Sequence, residues 1–312
     1  MNVLVFAQSE KGKIKKGSLE SISAGRNIAN DMKGNLILVL FEKINNAEAL
    51  GGLGADKVYL IHADYNVEQY SNILANLVSK EKAHTVIIGS TILGNDLAAR
   101  VAAKTGAGLL FDCRHVTAEK GVLEVKKSFE SHLATLQFKS LIQVITLLPN
   151  TQPVKIFKRR KCAVENVESM GSVLKTVVKE VNREAQNKLK NAEIVVCGGY
   201  GVKEKGNFKM IELLAEKLGG TVGATHTAVE AGFADKEKQV GKRGRQINPL
   251  LYIGCGISGS KDHLKGIQNS KIIVAFNHVK DAPICKHADY CIVDDMWRAL
   301  PSFINEIDRV KR

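Results

Sequence analysis

At 312 residues and 34.0 kDa, the chain is longer than one hydrophobic core usually organises, and two domains are expected. Hydrophobic residues make up 45% and charged residues 25%, mean hydropathy is −0.07, and no apolar run reaches the length of a bilayer span, which excludes a membrane-inserted protein. The net charge is +13, but the lysines are dispersed: only Lys155–Lys161 forms a dense block, and aromatics are 5%, so little is available to stack nucleic-acid bases. No nucleic-acid partner is expected.

Met1 runs directly into NVLVFAQ, without a basic segment, a longer apolar stretch or a small-residue cleavage site, so a cytoplasmic location is expected. Six cysteines, Cys113, Cys162, Cys197, Cys255, Cys285 and Cys291, are scattered with no CxxC pair, and they read as reduced, buried thiols. His278, Cys285, His287 and Cys291 lie close in sequence but meet no zinc spacing, so no metal is expected.

The first half alternates strand and helix. Asn2–Ala7, Asn35–Phe41, Lys57–His62 and Thr85–Ser90 are short β-branched runs, as buried parallel strands require. Between them Ser18–Met32, Asn45–Gly54 and Asn66–Lys82 carry apolar residues at helical spacing. Right-handed crossovers then place helices on both faces of one sheet. After Gly94–Gly106 the character changes to Leu123–Phe129, Leu133–Phe138 and Leu141–Pro149, expected as neighbouring or antiparallel strands. The turn holding Gly89, Ser90, Thr91, Gly94, Asn95 and Asp96 follows a strand and opens a helix, and Asn95 or Asp96 is expected as its N-cap.

A charged stretch from residue 166 to 190 is expected as a linker, dividing the chain into an N-terminal α/β domain, 1–165, and a C-terminal domain, 191–312. The second domain starts another alternating set at Ala192–Gly199, Phe208–Gly220, Leu250–Cys255, Lys271–Asn277 and Tyr290–Asp295. The fold class is therefore α/β, with two domains, each a mostly parallel sheet flanked by helices, and the C-terminal one Rossmann-like.

Gly254-Cys255-Gly256-Ile257-Ser258-Gly259 matches G-x-G-x-x-G and follows a strand, the context in which glycines let backbone N–H groups approach a pyrophosphate. A nicotinamide-dinucleotide unit ordinarily ends its next strand with an acid that grips the ribose; here that strand ends in Asn277. No Ser-His pair or carboxylate pair accompanies the loop, so binding is favoured over hydrolysis.

The surrounding order of segments resembles the electron-transfer flavoprotein alpha family: GGYG at Gly198–Gly201, Leu214–Gly232, Gln239–Arg245, Pro249–Gly266, KIIVAFN, Ala282–Tyr290 and Val293–Pro301. Glu48–Tyr59 and Ser90–Leu109 agree more loosely. The resemblance implies that the C-terminal domain holds FAD, that a beta subunit completes a heterodimer, and that electrons pass from a flavoprotein dehydrogenase such as an acyl-CoA dehydrogenase to a downstream acceptor. Two alternatives stay open: an electron-bifurcating, NADH-dependent complex, and a nucleotide-binding interaction protein without redox function.

Carried over by position, the resemblance places Ser258, Gly259, Ser260, Lys261, Asp262 and His263 against the FAD phosphates and flavin edge, with Asn277, Asp295 and Met296 at the nucleotide part and Thr225 nearby. Val240, Gly241, Lys242 and Arg243 join this cofactor-binding set, as do Tyr200 and His226. His263 is implied near the N1 and O2 edge, where a donor would stabilise reduced flavin. Three positions depart from the family pattern: Tyr200 and His226 stand where it has arginines, and Arg243 where it has a threonine. The charge around the ring is thereby rearranged, while the phosphate-facing loop is kept.

Overall fold

Val3, Leu4 and Val5 are fully buried in β1 (Asn2–Phe6), as a strand covered on both faces requires. The computed structural model describes residues 1–10, 12–42, 44–63, 66–119, 121–129, 132–157, 162–168 and 189–310. It divides the chain into two units, Met1–Asn182 and Arg183–Arg312.

In the first unit a small hairpin, β2 (Ser9–Glu10) and β3 (Lys13–Ile14), precedes α1 (Lys16–Asp31). There follow β4 (Leu36–Leu40), β5 (Lys57–His62), α2 (Val67–Lys80), β6 (Ala83–Gly89) and α3 (Ile92–Thr105). Then come β7 (Gly108–Glu119), β8 (Val122–Phe129), β9 (His132–Gln137), β10 (Gln143–Leu147) and β11 (Ala163–Glu168). They make one sheet in the order β11-β5-β4-β1-β6-β10-β7-β8-β9. Its strands pair in parallel except β7 with β8 and β8 with β9, so the expected change of character after α3 is an antiparallel extension at one edge. β10 instead inserts in parallel between β6 and β7.

Two local expectations differ from the structure. Asn45–Gly54 forms only a 3₁₀ segment, Ala47–Leu53, because Gly51, Gly52 and Gly54 weaken a helix and Gly54 turns out of it at φ +94°. β11 straddles residue 165 and pairs with all of β5, from Ala163↔Lys57 to Glu168↔His62. Charge attaches this strand: Glu165 meets Lys57 at 3.0 Å and Lys80 at 2.8 Å, which holds its carboxyl down to about 2. The rest of the expected linker, 169–188, lies outside the described residues, as do 158–161 of the basic block.

The second unit runs β12 (Ile194–Gly198), α4 (Phe208–Leu218), β13 (Thr221–Ala224), α5 (His226–Glu230), β14 (Leu251–Cys255), α6 (Lys261–Ile267) and β15 (Ile272–Asn277). α7 (Pro283–His287), β16 (Tyr290–Val293) and α8 (Met296–Val310) complete it. All its strands are parallel, in the order β13-β12-β14-β15-β16. Alternate residues of β12 serve opposite faces: Val196 packs with Phe208, Ile211 and Leu214 of α4 and Leu300 and Ile304 of α8, while Val195 and Cys197 pack with Tyr252, Ile267 and Ile284. The winding reverses between β12 and β14, the point at which open parallel sheets leave a crevice at their carboxyl ends.

Among the described residues no helix is long and apolar enough to cross a membrane. The reading of all six cysteines as reduced and buried is corrected twice. The short α7–β16 connection brings the Cα atoms of Cys285 and Cys291 to 5.3 Å, within disulfide range, and the two are bonded; Cys162 is only half-buried.

Candidate functional site

Two loops meet at the switch point. Gly199 N donates to Cys255 O at 2.9 Å and Gly201 N to Gly256 O at 3.0 Å, so the turns after β12 and β14 brace one another. The β14 turn then presses on α7: Gly259 has φ +86°, and a Cβ there would stand 2.3 Å from Ile284 N. Ile284 N in turn donates to Ser258 O at 3.1 Å. Only glycine satisfies both the backbone angle and the closeness.

Above these turns opens a cleft of about 1470 Å³. Every cofactor-binding position expected from the sequence lines it: Tyr200, Thr225 and His226, the Val240–Arg243 loop, the Ser258–His263 stretch, Asn277, Asp295 and Met296. The cleft also takes residues that the sequence reading does not assign to the cofactor, including Lys203, Gln239, His278, Asp281 and Trp297. Each lies within a few positions of a named one, so the signal was loop membership rather than a motif.

Several of these side chains have structural tasks. Asn277, 6% exposed, donates from Nδ2 to Ile257 O at 2.7 Å and accepts from Val279 N at 2.9 Å, tying the glycine turn to the end of β15. Thr225 caps α5 by accepting from Ala228 N, and Asp295 accepts from Trp297 N at 2.8 Å at the start of α8. Lys242 N donates to Asp262 O at 2.8 Å, which fastens the Val240–Arg243 loop to α6. Tyr200 is exposed and stacks on Phe233 at 5.8 Å between centroids. His226 Nδ1 is 3.9 Å from Glu230, and Arg243 Nε is 3.7 Å from Asp262, both loose surface pairs.

His263 is different: it is 4% exposed, with Nε2 2.7 Å from the Tyr252 hydroxyl and Nδ1 3.3 Å from Val240 O. Burial penalises the imidazolium and pulls its pKa down to about 4, against a smaller opposing effect of the Val240 carbonyl. Burial likewise raises the Tyr252 phenol and pushes the Cys197 thiol up to about 12. Among the described residues, no group of three or more His, Cys, Asp or Glu is placed to hold a metal, and Cys285 and Cys291 hold each other.

Residues 3–170 match the electron transfer flavoprotein domain, and residues 188–268 match the electron transfer flavoprotein FAD-binding domain. The chain belongs to the electron-transfer flavoprotein alpha-subunit family. It is 33% identical to the electron transfer flavoprotein subunit alpha of Thermoanaerobacterium thermosaccharolyticum, over 99% of this chain and 98% of the relative. It is 34% identical to that of Bacillus subtilis over the same shares. It is also 29% identical, over 99% of this chain and 96% of the relative, to the acryloyl-CoA reductase electron transfer subunit beta of Anaerotignum propionicum.

The cofactor of this electron-transfer flavoprotein chain is FAD, and the cleft fits it. Its volume exceeds the roughly 300–1,000 Å³ of ordinary small-ligand pockets, as an extended dinucleotide needs. Its walls offer the hydroxyls of Ser258, Ser260 and Thr227, the cations Lys203, Lys242 and Lys261, and the flat side chains Tyr200 and Trp297.

Proposed function

We propose that this chain is the FAD-holding subunit of a heterodimeric electron carrier in the cytoplasm. In this reading residues 1–165 serve as a platform, residues 191–312 hold the cofactor, and a beta subunit completes the carrier. The supporting observation is the cleft at the β12–β14 reversal, which collects all the expected contact positions inside the unit whose residues 188–268 match an FAD-binding domain.

FAD, when bound, supplies the ring that accepts and releases electrons. The chain's part is to bind and bias it. The glycine turn would hold the pyrophosphate through its backbone N–H groups, and Asn277 ties that turn to the end of β15. Lys242 and Arg243 place positive charge on a loop anchored to α6, where it favours the more negative, reduced state of a neighbouring ring. With arginines absent at 200 and 226, this loop carries more of that field than the family pattern expects.

For the electron donor we favour a flavoprotein that acts on a coenzyme A thioester, of the acyl-CoA dehydrogenase type. The relative named as an electron transfer subunit of acryloyl-CoA reductase supports a partner that acts on a coenzyme A thioester, without fixing the direction of electron flow. The test is to co-purify the full chain with a beta subunit encoded beside it, record the flavin absorbance, and mix it with a substrate-reduced acyl-CoA dehydrogenase. Rapid bleaching of the flavin is expected. A colourless complex would overturn the redox reading, and rapid reduction by NADH alone would replace it with the bifurcating one.

A further inference from the structure

Three of the cysteines are sealed in: Cys113, Cys197 and Cys255 are 0% exposed, and burial pushes the first two thiols up to about 12 and raises the third as well. Cys285 and Cys291 differ. They are half-buried, bonded to each other, and belong to the unit that carries the cleft. A sulfur open to solvent is open to attack by an external thiolate, which the three buried thiols are not.

The bond joins two elements of unequal fixity. Cys291 lies in β16, held in the sheet opposite Ala275 of β15. Cys285 lies in α7, only five residues long, whose entry borders the cleft: Ala282 and Pro283 line it, and Ile284 N donates to Ser258 O at 3.1 Å. Ile284 is also the residue on which Gly259 presses. Cys285 is therefore the immediate neighbour of the contact that seats the glycine turn, and its bond to Cys291 ties that contact to the sheet.

The connection has what it needs to survive opening. Asp289 N donates to Ile273 O at 2.8 Å and its carboxylate accepts from Ile273 N at 2.7 Å, so the strand end stays paired without the bond. Val279 O lies 3.8 Å from Cys285 Sγ, an acceptor in place for the proton of a released thiol, and Val279 itself lines the cleft.

We propose that Cys285 and Cys291 are a reversible disulfide–dithiol couple that sets how firmly the FAD site holds its cofactor, the disulfide clamping α7 against the glycine turn and the dithiol loosening it. The effect on FAD rests on the FAD reading of the cleft; the couple itself does not. In the cytoplasm of that reading, a reachable disulfide is made and broken by exchange rather than kept. The reductant is a dithiol. One of its thiolates attacks a sulfur of the pair, the Cys285–Cys291 bond breaks, and the leaving sulfur takes a proton. Its second thiolate then resolves the mixed disulfide, so two electrons and two protons reach the pair and the reductant leaves as a disulfide. Oxidation is the same exchange in reverse.

The experiment equilibrates the full chain, in complex with its partner subunit and FAD, in mixtures of reduced and oxidised dithiothreitol. Alkylation and mass spectrometry then read each cysteine, and flavin fluorescence reads the rate of FAD release. Cys285 and Cys291 should convert together, while Cys113, Cys197 and Cys255 stay as thiols throughout. Release should be several-fold faster from the dithiol form. Cys291→Ser, which cannot close the bond, should release FAD at the dithiol rate in every mixture. A pair that stays reduced in all mixtures, or stays bonded in all of them, would overturn the couple without recourse to any variant. Equal release rates from the two forms would overturn the clamp. A complex that binds no FAD while the pair still converts would refute the FAD reading, and with it the clamp, but not the couple.

Discussion

The two large sheets of this chain, one mixed and one parallel, each end a central strand in a glycine turn that opens a helix, and the two turns do different work. After β6, Thr91 accepts from Gly94 N at 2.9 Å as the N-cap of α3, and the Ser90 hydroxyl is bonded to Asp112. Neither Asn95 nor Asp96 is the cap expected from the sequence. Asp96 pairs with Arg100 on the surface at 2.8 Å, since Thr91 already sits one residue before the helix with its side chain aimed at the first turn. After β14 the turn faces a cleft, and its polar groups line open space. The same strand–turn–helix connection thus becomes a closed cap in one unit and a binding wall in the other. What decides is whether neighbouring side chains occupy the donors.

The sharpest way to break this comparison is to fill one glycine in each turn. Gly259→Val meets both a left-handed φ and the Ile284 backbone, and should weaken FAD by roughly 100-fold, about 2.7 kcal/mol, measured by flavin retained on the purified complex. Gly94→Ala meets Gly89 O at 2.0 Å and should lower stability by about 1–3 kcal/mol in denaturant melts, with FAD affinity unchanged. If Gly94→Ala released FAD as Gly259→Val does, the division of labour between the turns would fail.

Much of this is legible in the sequence, for identifiable reasons. The β-branched runs of β1, β4 and β12 are buried on both faces, so their composition alone marks them, and every cofactor position inferred by resemblance lies on the cleft. β11 is hidden because AVENVE carries its strand character between acids, of which Glu165 has lysine partners far along the chain. β7 escapes notice because its polar residues alternate on a half-exposed surface. Arg26 looks like a surface residue of an amphipathic helix, yet it is 2% exposed and bonded to Asp56 at 2.5 Å and Gly54 O at 3.1 Å. The inward orientation of His263 is equally out of reach, since it depends on where β14 delivers Tyr252.

That orientation predicts an effect of similar size, on pH dependence. His263 has a native pKa near 4, against about 6.5 in the unfolded chain, so between these values the unfolded state binds the extra proton. Stability from this residue is complete above pH 6.5 and falls as pH drops toward 4, by on the order of 3 kcal/mol. Melts of the wild type and His263→Gln across that range should differ in slope, the variant being flatter; parallel curves would show that His263 titrates normally. Next in size, Asn277→Ala loses one buried and one part-buried hydrogen bond and should cost about 2 kcal/mol and roughly tenfold in FAD affinity, whereas Thr91→Ala should cost about 1 kcal/mol with affinity intact. Titration with FAD alongside denaturant melts separates the two.

The smallest structural effect belongs to Arg243→Thr, and it isolates charge from architecture. The Arg243 side chain is 72% exposed and its contact with Asp262 is 3.7 Å, so the pair is solvent-screened and its loss should change stability by no more than about 0.5 kcal/mol. The loop stays anchored through backbone bonds from Lys242 N to Asp262 O and Gly241 N to Arg245 O, neither of which needs the guanidinium. Removing one cation beside the cleft should therefore lower the flavin reduction potential while leaving melting and FAD content unchanged. Potentiometric titration of the two complexes at equal ionic strength measures this directly, and raising the salt should shrink the difference if Arg243 acts through an open, screened field. Equal potentials at low salt would show that Arg243 does not stand in for the arginines missing at 200 and 226. Tuning of the ring would then rest on Lys242 and on the beta subunit.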